Sequence, residues 1–364
     1  MNHRERLIAV FEKQLLDQLP WVPDLGYWIT AEEISGRLQT HYQGVEGRRR
    51  LHTELDACIY YGEGVSPAIC TAEGVKESSE QKGDYRIDSV ECDGHILEKY
   101  WRWLPESYCY ATTKYYVTEV SQLAIVREIF LRRHYSPNPR ANEPSIALNG
   151  HGVPITPMPR SPLPALFADW VGVEGTAFMM ADAQDEVEKT LEVIDRANDG
   201  FFSLLSNVES KICHFCDNLS AETIGGYWDR YCAEYYQRRV AQVHSAGKYC
   251  VSHLDGATKA LIPRLMIAGL DGIESLTPMP VGDITMEEMS QLMEPYDAVF
   301  WGGLPGAMFV HPFTLNDLIV MIDGLYRLYC NGRRVVVASA DLVPPAADLE
   351  IIRKVGKYIA ELGA

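Results

Sequence analysis

The chain has 364 residues, 47% hydrophobic and 23% charged, enough for one large α/β barrel with an extension or for two ordinary domains. Its formal net charge of −17 would repel a nucleic-acid backbone, and the acid is spread along the chain rather than gathered in a tail. No apolar run reaches the roughly 18 residues of a membrane helix, and nine cysteines at irregular spacing suit free thiols in a reducing compartment.

Residues 4–18 carry Leu7, Ile8, Val10, Phe11, Leu15 and Leu16 at helical spacing. This charged opening helix has no signal-peptide core, so a cytoplasmic location is expected. Trp21 to Thr30 reads as an aromatic loop. From Tyr85 to Val117 the period becomes two, and Asp93-Gly94 makes the turn of an antiparallel hairpin. Residues 20–140 are therefore expected to form an extension over a barrel, and the prolines of 136–164 to form turns and loop.

Beyond that point helices and strands trade places regularly. Helices are expected over 183–207, 226–246, 257–268, 285–293, 314–329 and 347–362. Strands are expected over 211–217, 249–253, 272–276, 298–303 and 334–339, with Ile146–Leu148 as a further one. Such alternation predicts parallel βαβ units. No glycine-rich phosphate fingerprint follows any strand, which argues against a doubly wound sheet. The expected fold is an α/β (β/α)8 TIM barrel, one structural domain overall. Residues 1–140 supply the N-terminal helix and antiparallel extension, and 141–364 the main part of the barrel.

Polar residues at the carboxyl ends of parallel strands sit where such barrels build sites. Here these are Asp217 with Asn218, His253 with Asp255, Glu274, Trp301 with Gly302-Gly303, and Asp341. His253, Glu274 and Asp217, from three consecutive strands, offer nitrogen and oxygen ligands to a divalent metal such as zinc, with a position left for substrate. Without metal, Asp217 or Glu274 could act as a proton donor. Cys213-His214-Phe215-Cys216 lacks the second pair of a zinc ribbon. If Asp217 faces the barrel interior, period two turns His214 and Cys216 toward the helices as packing residues. Cys250 also reads as core. Tyr27 and Trp28 are candidate walls of a substrate pocket, while the hairpin rings read as packing.

SAGKYCVSHLDGATKALIPRLMIAGLDGIESLTP, VVVASADLVPPAADLEIIRKV and FMMADAQDEVEKTLEVI together resemble the uroporphyrinogen decarboxylase superfamily over about residues 165–362. The resemblance implies a (β/α)8 barrel. The arginine-rich loop of true decarboxylases is absent here, with VPDLGYW in its place, so a polyanionic tetrapyrrole has little to bind it. The soft zinc site of the thiol-methylating branch is absent too: the first pair reads His253-Leu254-Asp255, and Ala340 stands about where that branch has its distant cysteine. What remains is similar to the corrinoid-dependent branch. That likeness implies an O-demethylation-type enzyme moving a methyl group from a small methylated, most simply methoxylated, substrate to the corrinoid (cobalamin-type) of a partner protein. Carried over, His253, Glu274 and Asp217 would be catalytic and metal-binding, with Tyr27, Trp28, Asn218, Trp301 and Asp341 around the substrate. The alternative is a metal-independent decarboxylase or lyase acting on a small carboxylate. No nucleic-acid or membrane partner is expected, and a homodimer is left open.

Overall fold

The computed structural model describes residues 1–61 and 64–363. The chain forms two compact units from interleaved segments. One comprises Met1–Ser66, Pro139–Met158 and Val208–Ala364, the other Pro67–Asn138 and Pro159–Asn207.

The first unit is built on a curled seven-stranded sheet. Its strands, in spatial order, are Trp21–Asp24, Val335–Leu342, Val299–Pro305, Gly272–Leu276, Tyr249–Leu254, Ile212–Leu219 and Thr156–Pro157. Every pairing in it is parallel. Helices Ala233–Ser245, Ile262–Ile267, Met286–Met293, Leu315–Cys330 and Leu349–Leu362 alternate with these strands. The last four strands of the chain are buried over their leading residues, save the half-buried Tyr249 and His253, as sheets covered on both faces require. Val22, Ile212, Val251, Val299, Trp301, Val336 and Ala338 form one interior cluster. Leu7, Val10 and Phe11 of helix His3–Phe11 join it, each burial contributing about 1.5–3 kcal/mol.

Three expectations change here. The opening helix stops at Phe11, because Lys13 takes a left-handed φ of 57°. Trp21 to Thr30 is a strand followed by helix Gly26–Ile34, not a loop. Residues 146–148 are not a strand: Pro144 in the first turn starts helix Glu143–Leu148, and left-handed Asn149 ends it.

The second unit holds a four-stranded antiparallel meander, Val75–Lys82, Tyr85–Cys92, His95–Leu104 and Cys109–Lys114. The Asp93-Gly94 turn has both φ values positive, 50° and 78°, as a tight hairpin demands. Ala68–Ala72 pairs with Arg133–Pro137, and Leu123–Leu131 packs on Gln184–Phe202. Rings of this unit pair within it, Trp103 with Tyr110 at 5.1 Å and Tyr116 with Trp170 at 5.2 Å. Lys99, buried, gives its amine to the carbonyls of Ala168 and Asp169 and lies over the Trp101 ring.

Candidate active site

Strands Tyr249–Leu254 and Gly272–Leu276 run parallel with His253 directly opposite Glu274, so both side chains leave the sheet at one level. The register then shifts between Ile273 and Leu276 against the neighbouring strand. Gly302 is needed there: a Cβ on it would lie 2.6 Å from the backbone of Leu276.

Glu274 is completely buried, and burying an unpaired carboxylate is costly. Its partners converge from two neighbouring strands and a loop. His253 Nδ1 lies 2.6 Å from Oε2, and Tyr61 donates its hydroxyl to Oε1. His214 Nε2 is 3.3 Å from Oε2, yet it makes no hydrogen bond. His253 Nε2 faces Asp255 Oδ1 at 3.2 Å, and His214 Nδ1 faces the Tyr60 hydroxyl at 3.2 Å. Burial would raise the Glu274 carboxyl, but His253 and His214 outweigh it and hold it well below the usual carboxylate range. Burial likewise opposes charge on His253, but Glu274 and Asp255 prevail and hold it well above 6.5. Beside this centre Asp24 is pushed up to about 7 by burial and then by the charges of Glu274 and Asp341, against the Gly26 amide that donates to it at 2.9 Å. Asp341 is raised by burial and by Asp255 and Glu274.

The donor atoms of His214, His253 and Glu274 lie within 4.8 Å of one another, and so do those of His253, Asp255 and Asp341. The first set suits a divalent ion of zinc type: two nitrogens and one oxygen, with the unpartnered Nε2 of a buried His214 turned toward the other two donors. Its outer hydrogen bonds also fit, since a ligating imidazole gives its second N–H away and a ligating carboxylate is itself hydrogen-bonded. Tyr60, Asp255 and Tyr61 stand in those three places.

Asp217 does not join this group. It is buried on the other face of its strand and accepts the hydroxyl of Tyr236, from helix Ala233–Ser245. Phe215 stacks on the same Tyr236 at 4.5 Å. The facing expected for this strand is thus reversed: Phe215 and Asp217 meet the helix, and His214 meets the interior. Tyr236 is a long-range partner that no local pattern in the sequence announces.

A cavity of about 770 Å³ opens at the carboxyl ends of the strands. Its lining includes Tyr27, Glu222, Asp255, Asp283 and Asp341. Trp28 lies outside it: the ring is buried and its Nε1 donates to the Ala347 carbonyl at 3.0 Å. Trp301 is fully buried between Tyr60, at 4.7 Å, and Phe11, so it belongs to the interior core. Asn218 is exposed, with a left-handed φ of 50°, at the irregular end of its strand. His214, Tyr60 and Tyr61 escaped the sequence reading. The available signal was period two counted from His214, with its Cys neighbours set aside.

No family model matches this chain, and no curated protein matches it in sequence. Among solved structures it is similar to a methyltransferase from Methanosarcina mazei, at 12% identity and a TM-score of 0.60, over 100% of this chain and 99% of that one. At that identity the likeness is one of fold.

Proposed function

We propose that this protein moves a methyl group from a small methoxylated substrate to the Co(I) corrinoid of a partner protein, with a divalent metal held by His214, His253 and Glu274. The observation that carries the reading is the buried two-histidine, one-glutamate centre at the strand ends, next to a cavity of substrate size. The fold likeness to a methyltransferase supports it. We further read the curled sheet as a (β/α)8 barrel closed by residues 58–61. Cys58 N donates to Trp21 O at 2.8 Å, and Ile59 exchanges bonds with His151 and Val153 at 3.0 and 2.9 Å. Gly152 fits that closure, because a Cβ there would lie 1.8 Å from Ile59 O.

When bound, the ion supplies Lewis acidity for a leaving oxygen. The chain's own residues do the rest. Asp255 accepts the outer N–H of His253 and fixes which ring nitrogen faces Glu274; Tyr60 does the same for His214. Tyr61 holds the far oxygen of Glu274, so the carboxylate cannot rotate away. The cavity takes the body of the substrate, with Tyr27 and Asp341 on its wall. In the transfer the C–O electron pair stays on oxygen and the acceptor contributes the pair that forms the new bond to carbon. A lyase acting on a small carboxylate is disfavoured, since among the described residues the cavity lining offers four carboxylates and no Lys, Arg or His.

The test is a panel of methylated compounds with reduced corrinoid protein, following loss of the Co(I) absorbance, with metal content measured alongside. His253→Ala should lower turnover by about a thousandfold, equivalent to ~4 kcal/mol, in a protein that still folds. Undiminished turnover in that variant would overturn the assignment.

A further inference from the structure

A second cavity, of about 50 Å³, lies between the end of strand Trp21–Asp24, helix Gly44–Glu54 and the segment carrying Tyr61. It has room for one or two water molecules at ~30 Å³ each. Asp24, His52 and Tyr61 line it, and none of the three is a donor of the metal centre. His52 is only 8% exposed, and its Nδ1 stands 2.9 Å from the Arg48 carbonyl, one turn back on the same helix. A carbonyl only accepts, so the ring hydrogen sits on Nδ1 and Nε2 presents a bare lone pair. Burial lowers this imidazole to about 4 and so keeps it in that neutral form. Nε2 has no hydrogen-bond partner among the described residues, and a buried acceptor in that condition is costly. Tyr61 spends its hydrogen on Glu274 and keeps lone pairs with which to accept. Asp24 takes the Gly26 amide on Oδ1, and its Oδ2 makes no hydrogen bond among the described residues.

We propose that a buried water joins His52 Nε2 to the Tyr61 hydroxyl, with Asp24 as its third neighbour, so that His52 steadies Glu274 from outside the centre. Two bare acceptors around so small a space call for a compact neutral group with two hydrogens to give. Arg48 and Arg49 in the lining oppose a cation there, and Asp24 opposes an anion. The link then runs from His52 through the water to Tyr61, and from Tyr61 to the far oxygen of Glu274. His52 is a positioning residue, which touches neither metal nor substrate. Its effect on metal binding rests on the centre described under the proposed function; the water rests on the cavity and His52 alone.

Crystal structures of the native protein, His52→Gln and His52→Leu test this, with chelator competition and urea unfolding alongside. Gln keeps an acceptor at about the reach of Nε2, whereas Leu removes it at similar volume. The native and Gln crystals should show a water within ~3.2 Å of residue 52 and of the Tyr61 hydroxyl, and the Leu crystal none. Zinc affinity should fall about tenfold in His52→Leu and stay within about threefold of native in His52→Gln. In a Tyr61→Phe background His52→Leu should add less than about twofold, because the route to Glu274 is already cut. A purely structural His52 would lower urea stability and leave zinc affinity as it was, which overturns the proposal. So does a native crystal with no water at Nε2, or a His52→Leu effect of equal size with and without Tyr61. A water in place on a protein that takes up no zinc supports the link and removes the metal reading. Should His52→Leu fail to fold, the native and Gln crystals decide.

Discussion

Strand Ile212–Leu219 has two polar faces, and they do opposite things with a buried carboxylate. On the outer face Asp217 is held by Tyr236 and packed beside Phe215 and the helix. On the inner face His214 reaches Glu274 without making a hydrogen bond, and His253 stands between Glu274 and Asp255. The outer carboxylate has the hydroxyl of Tyr236, from a neighbouring helix, among its partners, which is what structure asks of a buried acid. The inner one gathers two imidazoles and a phenol, more donors than neutralising it requires, and leaves one nitrogen unspent.

The contrast can be broken most directly at Glu274. Glu274→Gln should abolish metal binding, lower methyl transfer by about a thousandfold, and cost ~3 kcal/mol by taking from His253 the nearer of its two counter-charges. Metal analysis, the corrinoid assay and urea unfolding read the three effects. Asp24 gives a pH test of the same inner field. Its folded pKa of about 7 lies above the unfolded value of ~3.9, so the folded state holds the proton longer. Its favourable contribution is complete below about pH 4 and is lost as pH rises through about 7. Relative to Asp24→Asn, the native chain should lose on the order of 3 kcal/mol between pH 4 and 8.5 in urea unfolding. A constant difference across that range would remove the raised pKa that burial and the neighbouring carboxylates give Asp24.

Tyr60→Phe sharpens the comparison without touching a donor atom of the centre. Metal affinity should fall about 10–100-fold in a chelator competition, because His214 loses the group that sets its ring. Unchanged affinity would exclude His214 as a ligand. The smallest effect belongs to the outer face: Asp217→Asn should cost about 1 kcal/mol of stability and leave metal content and methyl transfer as they were. Loss of metal there would restore Asp217 to the centre.

The alternation of helices and parallel strands in the last 150 or so residues was legible, because fully buried strands and amphipathic helices write their own periods. His253 and Glu274 were legible for the same reason, as polar ends of apolar runs. Facing was not. Period two tells which residues of a strand share a side, but not which side is the interior; Tyr236, a helix residue 19 positions on, decided that for Asp217. The segment with Tyr60 and Tyr61 was too short to show any period, and its bonds go to chain 37 and more than 90 residues away. Trp28 and Trp301 illustrate the same blindness: aromatic rings suit pocket walls and cores alike, and only their partners separate the two.

The imidazole of His253 has a carboxylate at each nitrogen and is held in its doubly protonated form well above 6.5. A lone pair toward Glu274 therefore exists only after a hydrogen ion departs. Filling the centre is in effect an exchange of one cation for another. If the centre holds a metal as proposed, acidity of the surroundings sets how readily it fills.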